Sequence, residues 1–362
     1  MKKMFLFATL ASVALASCTT DESVFDGAKA KGEKIEFAAA NYAAQTRAEH
    51  DDAAFTNEDY TVWAWENGSN TPYMNAVEVT YADGASTVDG TYYWPNYALD
   101  FAAYTPANDA RVEVGRTAAG ASSVTFTFDN SADATKNDNV TNLMFADFVE
   151  SQTYDNDEGT GESTVALKFR HVLTRLNVVV DQVEVEAADM PAGIENYNVT
   201  VNELSFKNIL CEGSLTVDEA YDVEDNALWS AKDGSATADW NIIATDTDVE
   251  DDAIFETAYE HGDKNYFVMP QTLSDNVKLY INYTVTTEFA ASPNTVKTYE
   301  KTININTIKS GANAITEWLT NKNVTYTINI SPADLKPISF TVNEEEMGAV
   351  NGTTGFKGFV NE

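Results

Sequence analysis

Apolar and polar residues alternate with a period of two along most of this chain. The residues between the apolar positions are mainly Thr, Ser, Asn, Lys and Glu. Because successive side chains of a strand point to opposite faces of a sheet, the alternation predicts antiparallel strands with one buried face and one solvent face. The clearest runs are SVTFTF at 123–128, TVALKF at 164–169, VKLYINYTV at 277–285, YEKTININ at 299–306, VTYTINI at 324–330 and ISFTV at 338–342.

Turn sequences separate these runs, and helical periodicity does not persist beyond a turn or two. The turns are Asp83-Gly84, Asp89-Gly90, Asp233-Gly234 and Ser310-Gly311. Many short strands joined in this way predict an all-β protein of the sandwich class. The polar, acidic stretch at 150–162 is the best candidate for a linker. We therefore predict two antiparallel β-sandwich domains in tandem, at residues 48–160 and 161–331.

The amino terminus has the features of a processing signal. Lys2 and Lys3 precede an apolar run, Met4–Leu15, that is too short to cross a bilayer core of about 30 Å. The sequence LASC, ending at Cys18, looks like a bacterial lipobox, and the alternative is an ordinary cleavage site followed by a chance cysteine. We expect residues 1–17 to be a lipoprotein signal peptide and acylated Cys18 to anchor the precursor in the outer membrane.

Charge excludes one class of partner. The chain has 57 acidic and 22 basic residues among 362, a net charge of −35, so its surface repels phosphate backbones and nucleic acid is not an expected partner. Three histidines and two cysteines supply few groups for catalysis or metal binding. The second cysteine, Cys211, is expected to be a buried small apolar residue.

Four further sequence patterns resemble parts of known binding sites. The glycine spacing at 115–122 suggests a phosphate loop, but Ala121 stands where its lysine is required. The acidic clusters at 155–159 and 249–252 can supply oxygen ligands for Ca²⁺, although solvated loops are the favoured interpretation. Aromatic residues near Trp63 and Trp94 can stack on sugars or fill a core. We predict no enzyme activity, no catalytic residue, no metal site and no cofactor.

Taken in order, several segments resemble the fimbrillin (Mfa-like) family, the subunits of Bacteroidales type V pili. The resemblance implies two transthyretin-like sandwich domains and assembly by strand exchange after proteolysis. The segments that carry it are the lipobox, KIEF at 34–37, TRA at 46–48, YWP at 93–95 with LDFAAYTP at 99–106, LKFRHVLTRL at 167–176, FVMPQ at 267–271 and WLTNK at 318–322 followed by VTYTI.

The residues themselves suggest how strand exchange after proteolysis would work. In the propeptide, residues 18–47, a strand with Ile35, Phe37 and Ala39 on one face precedes a polar stretch that contains Arg47. Cleavage between Arg47 and Ala48 would release that strand and the anchor together, leaving an open groove. The carboxyl-terminal tail, residues 332–362, offers a similar face formed by Ile338, Phe340 and Val342. We expect this tail to be the donor strand and to lie outside both cores.

The hypothesis is therefore a fimbrial shaft subunit that supports adhesion at the cell surface. Its expected partners are copies of itself, other fimbrial subunits, the outer membrane before processing, and host or bacterial surface ligands. Two alternatives remain open. One is an accessory subunit, either an anchor or a tip. The other is a monomeric surface lipoprotein that binds glycans.

Overall fold

The alternating pattern folds into strands throughout the computed structural model. It describes residues 33–41, 53–54, 59–116, 123–129, 143–154, 164–183, 185–218, 229–231, 237–243, 247–249, 266–310, 313–333 and 338–346. Within these ranges there is no α-helix, and a single 3₁₀ turn lies at Ile305–Thr307. The predicted all-β class is confirmed, and most ladders are antiparallel.

The first half of the described chain forms twelve strands, listed here in order. They are β1 (Glu36–Asn41), β2 (Ala53–Ala54), β3 (Tyr60–Glu66), β4 (Pro72–Ala82), β5 (Ala85–Val88), β6 (Leu99–Thr105), β7 (Val112–Arg116), β8 (Ser123–Asp129), β9 (Met144–Ala146), β10 (Val149–Gln152), β11 (Thr164–His171) and β12 (Thr174–Gln182).

The second half contributes the other described strands. They are β13 (Ile194–Leu210), β14 (Glu212–Asp218), β15 (Ser230–Ala231), β16 (Thr237–Ile243), β17 (Thr247–Val249), β18 (Tyr266–Val268), β19 (Gln271–Thr272), β20 (Lys278–Phe289), β21 (Thr295–Asn304), β22 (Lys309–Ser310), β23 (Asn313–Ala314), β24 (Glu317–Trp318), β25 (Lys322–Ile330) and β26 (Ile338–Glu346).

The sheet that we call the first sheet has the order β2-β1-β11-β9-β6-β3-β4-β5, and β10 also pairs with β6. Its β6 is the most deeply placed strand, with all seven residues buried. One core packs on it, formed by aromatic and β-branched side chains such as Tyr60, Val62, Phe101 and Phe169. These side chains suit a pleated, buried surface, which explains why this part of the sequence forms strands.

A second core is shared by the first sheet and the remaining larger sheets. The orders of these remaining sheets are β15-β14-β8-β7, β18-β12-β25-β26 and β16-β13-β20-β21, with β17 also on β13. The shared core includes Phe126, Phe145, Trp240 and Tyr326. Within it, the rings of Phe126 and Phe145 stack with their centroids 3.8 Å apart. Side chains from both halves of the sequence therefore fill one core.

Strands pair across the division that the sequence suggested at residue 160. β11 follows that position in the chain and yet lies in the first sheet, next to β9 and β1. β8 precedes it and pairs with β14 over seven residues. The residues at 155–163, where we placed the boundary, lie outside the described ranges. The division into 48–160 and 161–331 therefore stays a prediction.

Among the described strands, two pairings are parallel, a feature that the alternation did not predict. β1 runs parallel to β11, and β12 runs parallel to β25. Parallel neighbours need long connections, and residues 42–163 and 183–321 separate these pairs in sequence. The two strands β11 and β12 are joined by Val172 and Leu173, which are both fully buried. The same stretch of chain therefore links the first sheet to the sheet that holds the carboxyl-terminal strand.

Candidate functional site

The amino-terminal strand β1, with Ile35 directly before it, inserts alternate side chains into the core of the first sheet. Ile35 and Phe37 are only 4% and 6% exposed, and Ala39 is half-buried. Glu36 and Ala38, between them, are exposed. Phe37 meets the ring of Phe101 edge-on at 5.8 Å between centroids. Burying two large apolar side chains stabilises this arrangement by ~3–6 kcal/mol in gross transfer free energy, which makes this segment an integral part of the core.

Hydrogen bonding holds β1 mainly on one side. Six positions of β1 pair in register with β11, from Glu36 opposite Thr164 to Asn41 opposite Phe169. On the other side, its last residues pair with the two-residue strand β2. Immediately before β1, the amide of Ile35 donates to the carbonyl of Tyr92 at 2.9 Å. Among the described residues, the middle of β1 therefore has a ladder on the β11 side alone.

A cavity of about 440 Å³ lies beside this open middle of β1. One wall is the chain around Lys34 and Glu36, and the other is β5 with the turn that precedes it. Tyr92 and Thr164 contribute at its ends. The lining mixes polar and apolar residues, with one basic and one acidic side chain from the segment that contains β1.

The carboxyl-terminal strand β26 lies at the edge of its sheet. It pairs with β25 along all nine residues, with Phe340 opposite Ile328 and Val342 opposite Tyr326. Val342 is 5% exposed and belongs to the shared core, while Ile338 and Phe340 are half-buried and pack against it. The expectation that this tail lies outside both cores is therefore wrong for the isolated chain, because its apolar face already has an intramolecular partner.

The remaining sequence candidates fall into two groups. Cys18, Arg47 and Ala48 lie outside the described residues, as do the acidic stretches at 155–159 and 250–252. Others are described and are structural. His171 is buried, and desolvation lowers its pKa to about 4, so its imidazole is neutral at pH 7.

The loop that resembled a phosphate site contains a structural arginine. Arg116 forms an ion pair with the buried carboxylate of Asp100, and its guanidinium also donates to the carbonyl of Ser69 at 2.8 Å. Asp100 accepts a second bond from the side chain of Asn67 at 3.0 Å. The guanidinium is therefore engaged in joining β7 to β6. Cys211 is buried as expected, and the described residues contain no group of three or more potential metal ligands.

The aromatic clusters divide between core and surface. Trp63, Trp65 and Trp94 are buried, and the ring of Trp63 stacks on Tyr104 at 5.4 Å. Tyrosines form the surface group instead, and Tyr93 is 39% exposed. The tryptophans thus fill the core, and sugar stacking by them has no support here.

Sequence reasoning missed two residues that hold β1. Lys34 and Tyr93 form an isolated antiparallel bridge, and the amide of Trp94 donates to the carbonyl of Glu33 at 3.0 Å beside it. Both bridge residues belong to segments that carried the family resemblance, KIEF and YWP. That coincidence in sequence was the available signal, but no pattern of spacing links two segments 59 positions apart.

Comparisons with known proteins bear on the family and the fold of this chain. A family model described as fimbrillin-like matches residues 46–344. The chain belongs to the fimbrillin-like family. A crystal structure of a fimbrial protein from Bacteroides vulgatus aligns with a TM-score of 0.58 at 18% identity, covering 87% of this chain and 99% of that one. At this identity the likeness shows the fold alone.

Further structures align less closely. A candidate cell adhesion protein from Parabacteroides distasonis has a TM-score of 0.47 at 12% identity, covering 87% of this chain and 98% of its own. A comparison with curated protein sequences found no match. In the described part of this fimbrillin-like chain, no helix is both long and apolar enough to cross a membrane. Membership in the family identifies a fimbrial or adhesin-type protein of the cell surface or extracellular space.

Proposed function

We propose that this chain is the structural subunit of a fimbrial shaft, exported as a lipoprotein, cleaved after Arg47 and polymerised by donor-strand exchange. One observation carries the proposal. β1, which precedes Arg47 in sequence, fills the core of the first sheet through Ile35 and Phe37. The segment that cleavage would detach is therefore a core strand rather than a surface extension.

Cleavage would leave β1 bound by non-covalent contacts alone. Its departure would uncover the side chains that it covers, Phe101 among them, and one edge of β11. An unpaired edge beside an apolar groove recruits another strand. The family match begins at Thr46, next to the proposed cleavage position, which supports a mature chain that starts there.

The carboxyl-terminal strand has properties suited to the donor role. Its apolar face presents Ile338, Phe340 and Val342, in the same order of shapes as Ile35, Phe37 and Ala39. As an edge strand it has one neighbour to leave, β25, whereas an interior strand has two. Ile338 and Phe340 are half-buried in the isolated chain, so transfer to a groove that buries Phe37 to 94% would remove more apolar surface from water.

The magnitudes determine the direction of the exchange. The donor gives up nine paired positions on β25, whereas β1 has six on β11, so strand pairing alone does not drive the exchange. The difference then rests on apolar burial, worth ~1.5–3 kcal/mol for each large side chain that becomes fully buried. Detached β1 is diluted into solvent, so the reverse reaction is disfavoured by its low concentration. A head-to-tail contact of this kind does not close and so propagates as a filament.

The alternatives differ in what they require of the chain. An anchor subunit would keep β1 and acylated Cys18, and a tip subunit would need no donor strand. This chain combines an Arg47 site, a removable core strand and a carboxyl-terminal edge strand, which favours the shaft. A monomeric glycan-binding lipoprotein would need an exposed binding surface, and the tryptophans that suggested one are buried.

The amino terminus of the assembled protein tests the proposal. Fimbriae sheared from cells would be purified and the subunit's terminal peptide identified by mass spectrometry. We expect Ala48 as the first residue and no peptide from residues 18–47. Polymers built from subunits that begin at acylated Cys18 would contradict the proposal, because β1 would then still occupy the groove.

A further inference from the structure

The first sheet comes close to closing on itself, and the closure is incomplete. Its last strand, β5, lies alongside β1, but the Lys34–Tyr93 bridge and its two flanking backbone bonds are the connections found in the described residues. We call the gap between residues 34–38 and residues 85–88 the seam. The cavity of about 440 Å³ occupies it.

Within the part of the chain that the structure describes, unpaired backbone groups face the seam from both sides. The amide of Ile35 points toward Tyr92, so alternation along β1 directs the backbone groups of Phe37 and Ala39 the same way. On the opposite wall, the amide of Asp89 donates to the carbonyl of Glu78 at 2.9 Å. That bond sets alternate residues of β5 toward β4, which leaves the N–H and C=O groups of Ser86 and Val88 directed at the seam.

The edge of β5 lacks the charges that usually protect an edge strand. Its sequence is Ala-Ser-Thr-Val, without a charged side chain. By contrast, the edge strand β21 carries Lys297, Glu300 and Lys301, and the edge strand β7 carries the exposed Glu113. Charged side chains on an edge disfavour pairing with a second chain. β5 is therefore open to strand addition where these other edges are guarded.

We propose that the seam is the first docking site for the carboxyl-terminal strand of a second copy, which pairs with β5 before β1 leaves. The inference rests on the proposed function. The segment at 337–343, PISFTVN, carries no charge, and the three glutamates of β26 come after it, so this segment itself meets no repulsion from the seam. The seam also adjoins β1, the strand to be replaced. A donor docked there replaces β1 progressively, and the groove is never empty.

The test uses a precursor whose β1 cannot leave. Lys34→Cys with Tyr93→Cys, oxidised, would link β1 to the segment after β5, in the precursor from residue 18 with Cys18→Ser. The probe is a fluorescein-labelled peptide of residues 336–346, followed by anisotropy. We expect saturable binding to this locked, uncleaved chain. Val88→Pro, which removes an amide that faces the seam, should weaken binding at least tenfold, and Val88→Ala should change it less than threefold.

Each result has a defined meaning. If Val88→Pro leaves binding unchanged, the seam is not the docking site, because the peptide must then pair elsewhere. Binding only after cleavage and release of β1 would contradict the seam as the first docking site but would remain consistent with donor-strand exchange. Absence of binding in both states would contradict the proposed function as well. If Val88→Pro fails to fold by circular dichroism, hydrogen exchange decides, since bound peptide must protect the Ser86 and Val88 amides of the locked chain.

Discussion

Lys34 and Tyr93 face each other in an antiparallel bridge that fastens the amino-terminal strand to the segment following β5. The bonds on either side, Ile35 to Tyr92 and Trp94 to Glu33, make this a non-hydrogen-bonded pair. In such pairs the Cα atoms lie about 4.5 Å apart and the side chains are close. The bridge closes one end of the groove that β1 fills, so it is the natural place to control whether β1 can leave.

Cleavage at Arg47 should control polymerisation. We expect Arg47→Ala to give a membrane-bound, unprocessed monomer, because β1 remains covalently attached and keeps Ile35 and Phe37 in the core. Cell fractions would be compared on SDS gels without boiling. A matched substitution at an exposed lysine on β21, Lys297→Ala, should leave the ladder of polymers unchanged. Ladders of normal intensity from Arg47→Ala would show that another event opens the groove.

Acylation of Cys18 should be required for anchoring the precursor. Cells grown with a palmitate analogue should label the wild-type precursor and leave Cys18→Ala unlabelled, because the lipobox cysteine is the proposed acceptor. Cys211→Ala is the control, since that thiol is buried and donates to the carbonyl of Ile209. Equal labelling of Cys18→Ala and wild type would count against a lipoprotein precursor.

Substitution in β26 should separate donor function from folding. Phe340 is half-buried, so Phe340→Asp should cost the monomer little while placing an unpaired carboxylate in the neighbour's groove, where burial of charge is strongly disfavoured. We expect loss of filaments in electron micrographs of processed subunit, with circular dichroism unchanged. Val342→Asp is the contrasting variant, because Val342 lies in the shared core and its substitution should destabilise the monomer itself.

Filaments of normal length from Phe340→Asp would place the donor in another segment. Loss of folded monomer in the same variant would mean that β26 is required for the stability of the isolated chain. Comparing the two variants keeps these outcomes apart, since only Val342 is fully buried in β26 among its described side chains.

His171 should make the subunit lose stability in mild acid. Its folded pKa of about 4 lies below the unfolded value near 6.5, so between these values the unfolded state binds a proton that the folded state does not. The stabilisation is complete above pH 6.5 and falls as the pH approaches 4. From pH 7 to pH 5 the loss should be about 2 kcal/mol.

Urea unfolding at the two pH values measures this effect. We expect His171→Gln to show a smaller decrease than the wild type by about the same amount, because glutamine does not titrate. Identical pH dependence in the two proteins would mean that the imidazole is protonated in the folded state or that other groups dominate.

The alternating pattern predicted where strands form and much less about how they pair. The runs at 123–128, 164–169 and 324–330 became β8, β11 and β25 with nearly the expected bounds. Period two reports which face of a strand is buried, but it carries no information about the neighbouring strand. For that reason the parallel pairing of β1 with β11 and the pairing of β8 with β14 were not foreseen.

The partners of polar residues inside strands were the second feature that the sequence did not predict. Asp100 is fully buried in β6, where the sequence pattern has no place for a carboxylate. Its partner Arg116 comes from β7, and Asn67 comes from the turn after β3. Buried charge is tolerated when it is paired and hydrogen-bonded, and such partners are set by the folded chain rather than by spacing in sequence. The seam could not be predicted from sequence for the same reason, because it depends on the approach of β1 to β5 in the folded chain.

The disulfide lock between positions 34 and 93 tests the central claim most directly. Processed subunit with Lys34→Cys and Tyr93→Cys, cleaved after residue 47, would be followed by light scattering before and after reduction, with each single cysteine variant as control. Both side chains are exposed, so the core should tolerate the change. Donor-strand exchange predicts monomers while the disulfide holds β1 in place and filaments once a reductant frees it. Filaments that grow at the same rate from the oxidised protein would contradict the account, because the groove would still be occupied.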